Sequence, residues 1–244
     1  MFGPEHPEYI ASLNNFGTFS YRLGDLASAA AAFRESLASW RRSLGPTHPS
    51  TMTAMTNLGT VLRDSGALTQ AEPLLLESLR LRRRIRGPRH AEVAVSLRHL
   101  GVLRHRQGRL AAAIPLLVDA LGVFRDALPE RHPRIAEGGL ALGAALTASG
   151  RAREAEPVLR EALAIRIERL GENDTRTAIA RRELGACLTA LGRYAEADTL
   201  LVAASRVIAV DRAAWRERAE TERRLRELRA RSGPSRSPAG GRSA

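Results

Sequence analysis

"LGPTHP" occupies Leu44 to Pro49. Nearly the same phrase stands at Phe2 to Pro7 as "FGPEHP" and at Arg86 to Ala91 as "RGPRHA", so its glycine falls at Gly3, Gly45 and Gly87, 42 residues apart each time. The step continues to Pro129, in "LPERHP", and to Gly171, in "LGENDT". Two more glycine series keep the stride: Gly17, Gly59, Gly101, Gly143, Gly185, and Gly24, Gly66, Gly108, Gly150, Gly192. Three series in one register make the chain an array of one repeated unit. Periods of roughly 20 to 50 residues are the mark of solenoids, propellers and related arrays.

Composition selects helices for that unit. Ala, Leu and Arg, all strong helix formers, dominate; aromatics are 4%, and runs rich in Val, Ile and Thr, which favour strands, are few. The first helix of each unit opens after "HP". Pro7, Pro49 and Pro133 suit a first helical position, whose N–H has no partner in any case. In the fifth unit Asp174 takes the preceding place as a standard N-cap. Leu13, Phe16, Met55, Leu58, Leu97, Leu100, Leu142 and Leu184 recur at helical spacing, and the helix stops near Gly24 and its equivalents with a left-handed C-cap. A second helix follows at once: in "GDLASAAAAFRESLASWRRSLG", Leu26, Ala29, Ala30, Phe33, Leu37, Trp40 and Leu44 form one broad stripe. Pro73, Pro115 and Pro157 fall near the start of their helices, where little hydrogen bonding is lost and at most a small kink follows. Each unit is therefore expected to be an antiparallel helical hairpin.

The pattern around the Gly17 series carries a resemblance. A large apolar residue precedes each glycine in "NFG", "NLG", "HLG", "ALG" and "ELG". Small residues follow at Ala29, Ala71, Ala113, Ala155 and Ala197, then large ones at Phe33, Leu75, Leu117, Leu159 and Leu201, then small ones at Ser36, Ser78, Ala120, Ala162 and Ala204. This resembles the tetratricopeptide repeat, whose usual period is about 34 residues. The extra residues lengthen the second helix by about two turns. That longer period, "LNN" at Leu13 to Asn15, "AEPL" at Ala71 and the "GPxHP" joints resemble the repeats of kinesin light chains, which also occur in bacterial regulatory proteins.

The resemblance implies an all-α, right-handed α-solenoid of five units at 3–44, 45–86, 87–128, 129–170 and 171–212. One hairpin cannot bury its stripe alone; stacking supplies the core. Where a sixth joint falls due, the chain reads "DRAAWRERAETERRLRELRARSG", with Trp215, Ala219, Leu225 and Leu228 as a narrow apolar face, so 213–231 is expected to be a capping helix. The tail 232–244, rich in Ser, Gly, Pro and Arg, is expected to be disordered. The array begins almost at Met1 without a preceding cap, which fits either an abrupt start or a fragment of a larger protein.

Charge and chemistry narrow the function. All 38 basic residues are Arg, and the net charge is +12. Ten Arg against five acids lie from Asp211 onward, and the rest of the excess is spread over the array, as a solvated helical surface would have it. The single cysteine, Cys187, forms neither a disulfide framework nor a cysteine zinc site and reads as a small buried residue. A basic stretch followed by an apolar run does not occur at the N-terminus, and no apolar stretch approaches the roughly 18 residues of a membrane span. These features together read as a cytoplasmic protein. His6, His48, His90 and His132 occupy one position of successive units, separated by about 8–10 Å or more per packing layer, too far apart for one metal ion; they read as caps or joints. His99 and His105 have no carboxylate or thiol motif beside them and read as surface or groove residues. The expectation is a non-catalytic protein without cofactor or metal.

In tetratricopeptide arrays the first helices line the concave face, which the resemblance implies here too. The groove positions read Asn14, Thr18, Tyr21, Arg22; Thr56, Thr60, Arg63, Asp64; Arg98, Val102, His105, Arg106; a nearly uncharged fourth set; and a fifth that begins at Arg182. Asn15 and Asn57 match in part the asparagines of chaperone-tail clamps, while His99, Val95 and Thr18 depart from that pattern. Asn amides hold an extended backbone and Arg grips carboxylates, so the expected partner is a protein or peptide, acidic by preference, bound in the groove. The rival readings are a sensor or interaction fragment of a larger bacterial regulator such as a kinase or NTPase, and a basic nucleic-acid-binding solenoid. The latter lacks aromatic stacking platforms.

Overall fold

The structure, a computed structural model, describes residues 6–211 and 214–232. The joint at Gly3, the first residue of the expected cap and the tail after Ser232 lie outside them. Among the described residues there are eleven helices and no strand. They run α1 (Pro7–Leu23), α2 (Leu26–Leu44), α3 (Pro49–Asp64), α4 (Leu68–Arg86), α5 (Ala91–Arg106), α6 (Leu110–Ala127), α7 (Pro133–Ala148), α8 (Ala152–Leu170), α9 (Thr175–Ala190), α10 (Tyr194–Val210) and α11 (Trp215–Ser232). The chain divides into two compact units, Met1–Ala145 and Leu146–Ala244.

The joints explain themselves residue by residue. His6, His48 and His90 are N-caps whose Nδ1 accepts from the backbone N–H two residues on, at 3.2, 3.2 and 3.1 Å. His132 Nδ1 accepts from Arg134 N in the same way at 3.1 Å, and Asp174 Oδ1 from Arg176 N at 2.8 Å. Each satisfies one of the donors that a helix start leaves over. The repeated histidine is thus a backbone cap. Gly45 sits at φ 78°, ψ 171°, a region almost closed to side chains, and Thr51 Oγ1 donates to its carbonyl at 2.8 Å.

In the first unit α1 packs on α2, α2 on α3, and so on through α6. A continuous core links Phe33, Leu37, Met55, Leu58, Leu75, Leu79, Leu97 and Leu100. The Gly17-series glycines let the two helices of a hairpin approach. A Cβ on Gly59 would lie 2.7 Å from Leu75 Cδ2, and one on Gly17 would lie 2.9 Å from Phe33 Cε1. The small-then-large spacing in the sequence is this contact.

The core of the first unit also holds a charged residue. Arg82, on α4, is buried, with Nη1 donating to Ser96 Oγ at 2.7 Å and Thr56 Oγ1 at 3.1 Å. Thr56 also shares a 3.0 Å bond with Ser78. A buried charge persists only when it is partnered in this way.

In the second unit α8 packs on α9, α9 on α10, and α11 on both α9 and α10. Thr221 and Leu228 of α11 are buried, as is Ala214 immediately before it, and the three stand seven residues apart. Ala219, expected on the apolar face, is exposed, because five residues from Ala214 turn it well away from that line.

Candidate functional site

The helices α1, α3 and α5 of the first unit carry most of the residues that the sequence nominated, and side-chain bonds tie these helices together. Asn57 Nδ2 on α3 donates to Asn14 Oδ1 on α1 at 3.0 Å. Tyr21 donates its phenolic hydrogen to Asp64 Oδ2 at 2.5 Å. Thr60 Oγ1 on α3 pairs with His99 Nδ1 on α5 at 3.1 Å. Thr18 Oγ1 turns inward to the Asn14 carbonyl at 2.9 Å.

The cationic residues divide into paired and solvated ones. Arg63 lies against Asp64, with Nε at 2.8 Å and Nη2 at 3.1 Å from its carboxylate oxygens; both side chains are only 9% exposed. Arg98 meets His99 Nε2 at 3.2 Å and Glu137 at 3.3 Å. Arg22 and Arg106 are exposed. The face is therefore less cationic than its arginine count suggests.

Burial alone would raise the Asp64 carboxyl, but hydrogen bonds and charge from Arg63, with Tyr21, outweigh it and hold the carboxyl below its ordinary value. Burial pushes the His99 imidazole well below its ordinary value, and the charges of Arg98, Arg63 and Arg82 act in the same direction. His99 is therefore a neutral bridging ring between Thr60 and Arg98.

Two nominated residues are placed elsewhere. Thr56 is buried and engaged with Ser78 and Arg82 of α4. Arg182, in the second unit, is 6% exposed, pairs with Glu183 at 2.8 Å and reaches Glu217 of α11. Asn15 is exposed on α1 and His105 is half-buried on α5. Sequence reasoning missed the bridging role of His99 and the clamp on Asp64. Asp64 was nominated as a groove position and His99 as a surface or groove residue, but nothing in the sequence pairs Asp64 with Tyr21 or His99 with Thr60.

Among the described residues no group of His, Cys, Asp and Glu is arranged to hold a metal ion, and no helix is long and apolar enough to cross a membrane. What the arrangement offers is a face of amides, hydroxyls and a few cations on closely held helices.

The tetratricopeptide repeat description matches residues 8–80, 50–126 and 136–207. The chain belongs to the tetratricopeptide-repeat family. Solved structures agree on the fold. The kinesin light chain nearly identical TPR-like repeats of Podosopora anserina match with TM-score 0.64 at 21% identity, covering 86% of this chain and 98% of that one. BtubC (BKLC) from P. vanneervenii matches with TM-score 0.67 at 20% identity, over 83% of this chain and 80% of that one. A Rap protein complexed with competence and sporulation factor matches with TM-score 0.62 at 15% identity, over 91% of this chain and 66% of that one. No curated protein matches the sequence. The fold class is thus the all-α tetratricopeptide solenoid, with kinesin-light-chain-like repeats, and the family is one of protein-interaction scaffolds.

Proposed function

We propose that the protein is a non-catalytic interaction scaffold that holds an extended peptide or a partner helix along α1, α3 and α5. One observation carries this reading: the cross-helix bonds Asn57–Asn14, Tyr21–Asp64 and Thr60–His99 fix three helices side by side with polar groups already in place. Preorganised polar groups of this kind cost little further ordering when a guest arrives. Asn15 and Thr18 stand exposed for a guest backbone, and Arg22 and Arg106 for its carboxylates. Arg63 and Arg98 act through position, since each is already paired. Thr56 and Arg182 drop out of the contact set, because both are buried against other helices. The Rap protein of like fold is complexed with competence and sporulation factor, which supports a fold able to hold a guest.

The test is site-directed photo-crosslinking in extract of the native host. A photoreactive residue at Thr18 or at Arg106 is expected to give a discrete adduct with one partner. The same residue at Arg80 or Arg83, exposed on α4, is expected to give none. Adducts from the α4 positions alone would overturn the groove.

A further inference from the structure

Arg82 holds a place that other units fill with an apolar side chain. Along the stride the position reads Trp40, Arg82, Phe124, Arg166, Ile208. Phe124 and Ile208 are buried, and Trp40 packs against the core of the first unit. The hairpin therefore needs no charge there. Keeping one is costly. Arg82 is 4% exposed, its Nε has no hydrogen bond, and its ion-pair partner Glu92 stays 3.7 Å from that nitrogen. Burial pulls the guanidinium below its ordinary value, and the charge of Arg134 acts the same way. A charge so poorly compensated contributes little to stability.

Its contribution is geometric. The side chain runs from α4 to two of the groove helices at once. Nη1 donates to Thr56 Oγ1 on α3 at 3.1 Å and to Ser96 Oγ on α5 at 2.7 Å. Thr56 is anchored in turn, to the Met52 carbonyl at 3.0 Å and to Ser78 on α4 at 3.0 Å. One turn further along both helices, Thr60 meets His99 at 3.1 Å. The two helices are thus joined at two levels, through Arg82 and then directly. An apolar residue in place of Arg82 leaves one level, about which they can pivot.

We propose that Arg82 is a positioning residue for the groove, holding α3 and α5 in the register that lines up the polar groups of that face, while itself touching no guest. The inference rests on the reading of α1, α3 and α5 as the binding face. It separates from a structural role because the two predict different outcomes when the charge is removed. Replacing a buried charge by an apolar side chain of like size is often neutral or stabilising. Arg82→Met also strands no donor: Thr56 and Ser96 keep the backbone carbonyls of Met52 and Glu92 as acceptors. Ser96→Ala removes the α5 end of the tie alone.

Three readouts test the tie on the whole chain. In urea, Arg82→Met should unfold at an equal or higher midpoint, with helicity unchanged. Spin labels on Thr53→Cys and Arg106→Cys, both exposed positions on α3 and α5, report the helix spacing by electron double resonance; Cys187 is buried and stays unlabelled. Their distance distribution should broaden in Arg82→Met and in Ser96→Ala. With a photoreactive residue at Arg106, half-maximal crosslinking in host extract should need about tenfold more extract in either variant, because preorganisation is lost. Crosslinking that is indifferent to both variants, distances that stay as narrow as in the unsubstituted chain, or a midpoint of Arg82→Met that falls along with the adduct would each overturn the proposal. If the unsubstituted chain gives no adduct at Arg106 while the distances respond as expected, the groove fails and the tie between α3 and α5 stands.

Discussion

The Tyr21 phenol, on α1, donates to Asp64 Oδ2, on α3, at 2.5 Å, and closes a link across 43 residues of chain. The acceptor is the same carboxylate that Arg63 holds through Nε and Nη2. Hairpins whose cores touch only their neighbours are thereby also tied across their polar face.

Tyr21→Phe removes one hydrogen bond to a charged group and should destabilise the first unit by about 1–2 kcal/mol. Asp64→Ala should cost more, about 3 kcal/mol, because it leaves the Arg63 guanidinium unpaired in a largely buried site. Urea unfolding of the two variants checks the order; equal losses would show that the clamp on Arg63 contributes nothing.

His99 sets a pH dependence. Its folded imidazole is held well below the ordinary 6.5, so above that pH folded and unfolded states are both neutral and His99 has no effect on stability. Below it the unfolded chain takes up a proton that the folded chain refuses, and stability falls as pH drops. Asp64 acts in a lower window. Its folded carboxyl is depressed, so its contribution is complete above about pH 3.9 and fades as pH falls through the folded value. His99→Gln should flatten the urea midpoint between about pH 6.5 and 5 while leaving the acid limb in place. A wild-type midpoint that is level across that interval would contradict the placement of the ring.

Two glycines should respond oppositely to the same substitution. Gly59→Ala drives a methyl to 2.7 Å from Leu75 Cδ2 and should destabilise by about 1–3 kcal/mol. Gly122, inside α6, has nothing within 4 Å of its Cβ position, and Gly122→Ala should stabilise by up to about 1 kcal/mol through helix propensity. Thermal unfolding of both reads the sign directly.

Cys187 is fully buried, its Sγ donating to the Ala152 carbonyl at 3.2 Å, and burial pushes its thiol up despite the hydrogen bond to Thr147. A colourimetric thiol reagent at pH 8 should therefore react with the native protein only at the rate of unfolding, and at once in urea. Immediate stoichiometric reaction without denaturant would refute this packing.

The hairpins were legible because their signals are local. Pro49 opens α3, His48 caps it and Gly66 follows its end, all decided within a turn or two of the chain. The 42-residue stride then reports which hairpins are equivalent. The polar face was legible only as a set of positions. That Thr56 faces α4, that Arg63 is neutralised and that Arg182 lies beneath α11 depends on partners from the next residue to 35 away. Arg82 and Arg166 show the same limit. They sit within charged helical stretches, yet both are buried. Their position reads Trp40, Arg82, Phe124, Arg166, Ile208 along the stride. That column, read across repeats and not along the helix, carries the signal of a buried site.

Hydrogen exchange of the whole chain, alone and with the partner trapped by crosslinking, tests the account most directly. Added protection confined to α1, α3 and α5 of the first unit is the predicted result. Protection on α2 and α4, with α1, α3 and α5 unchanged, would contradict it.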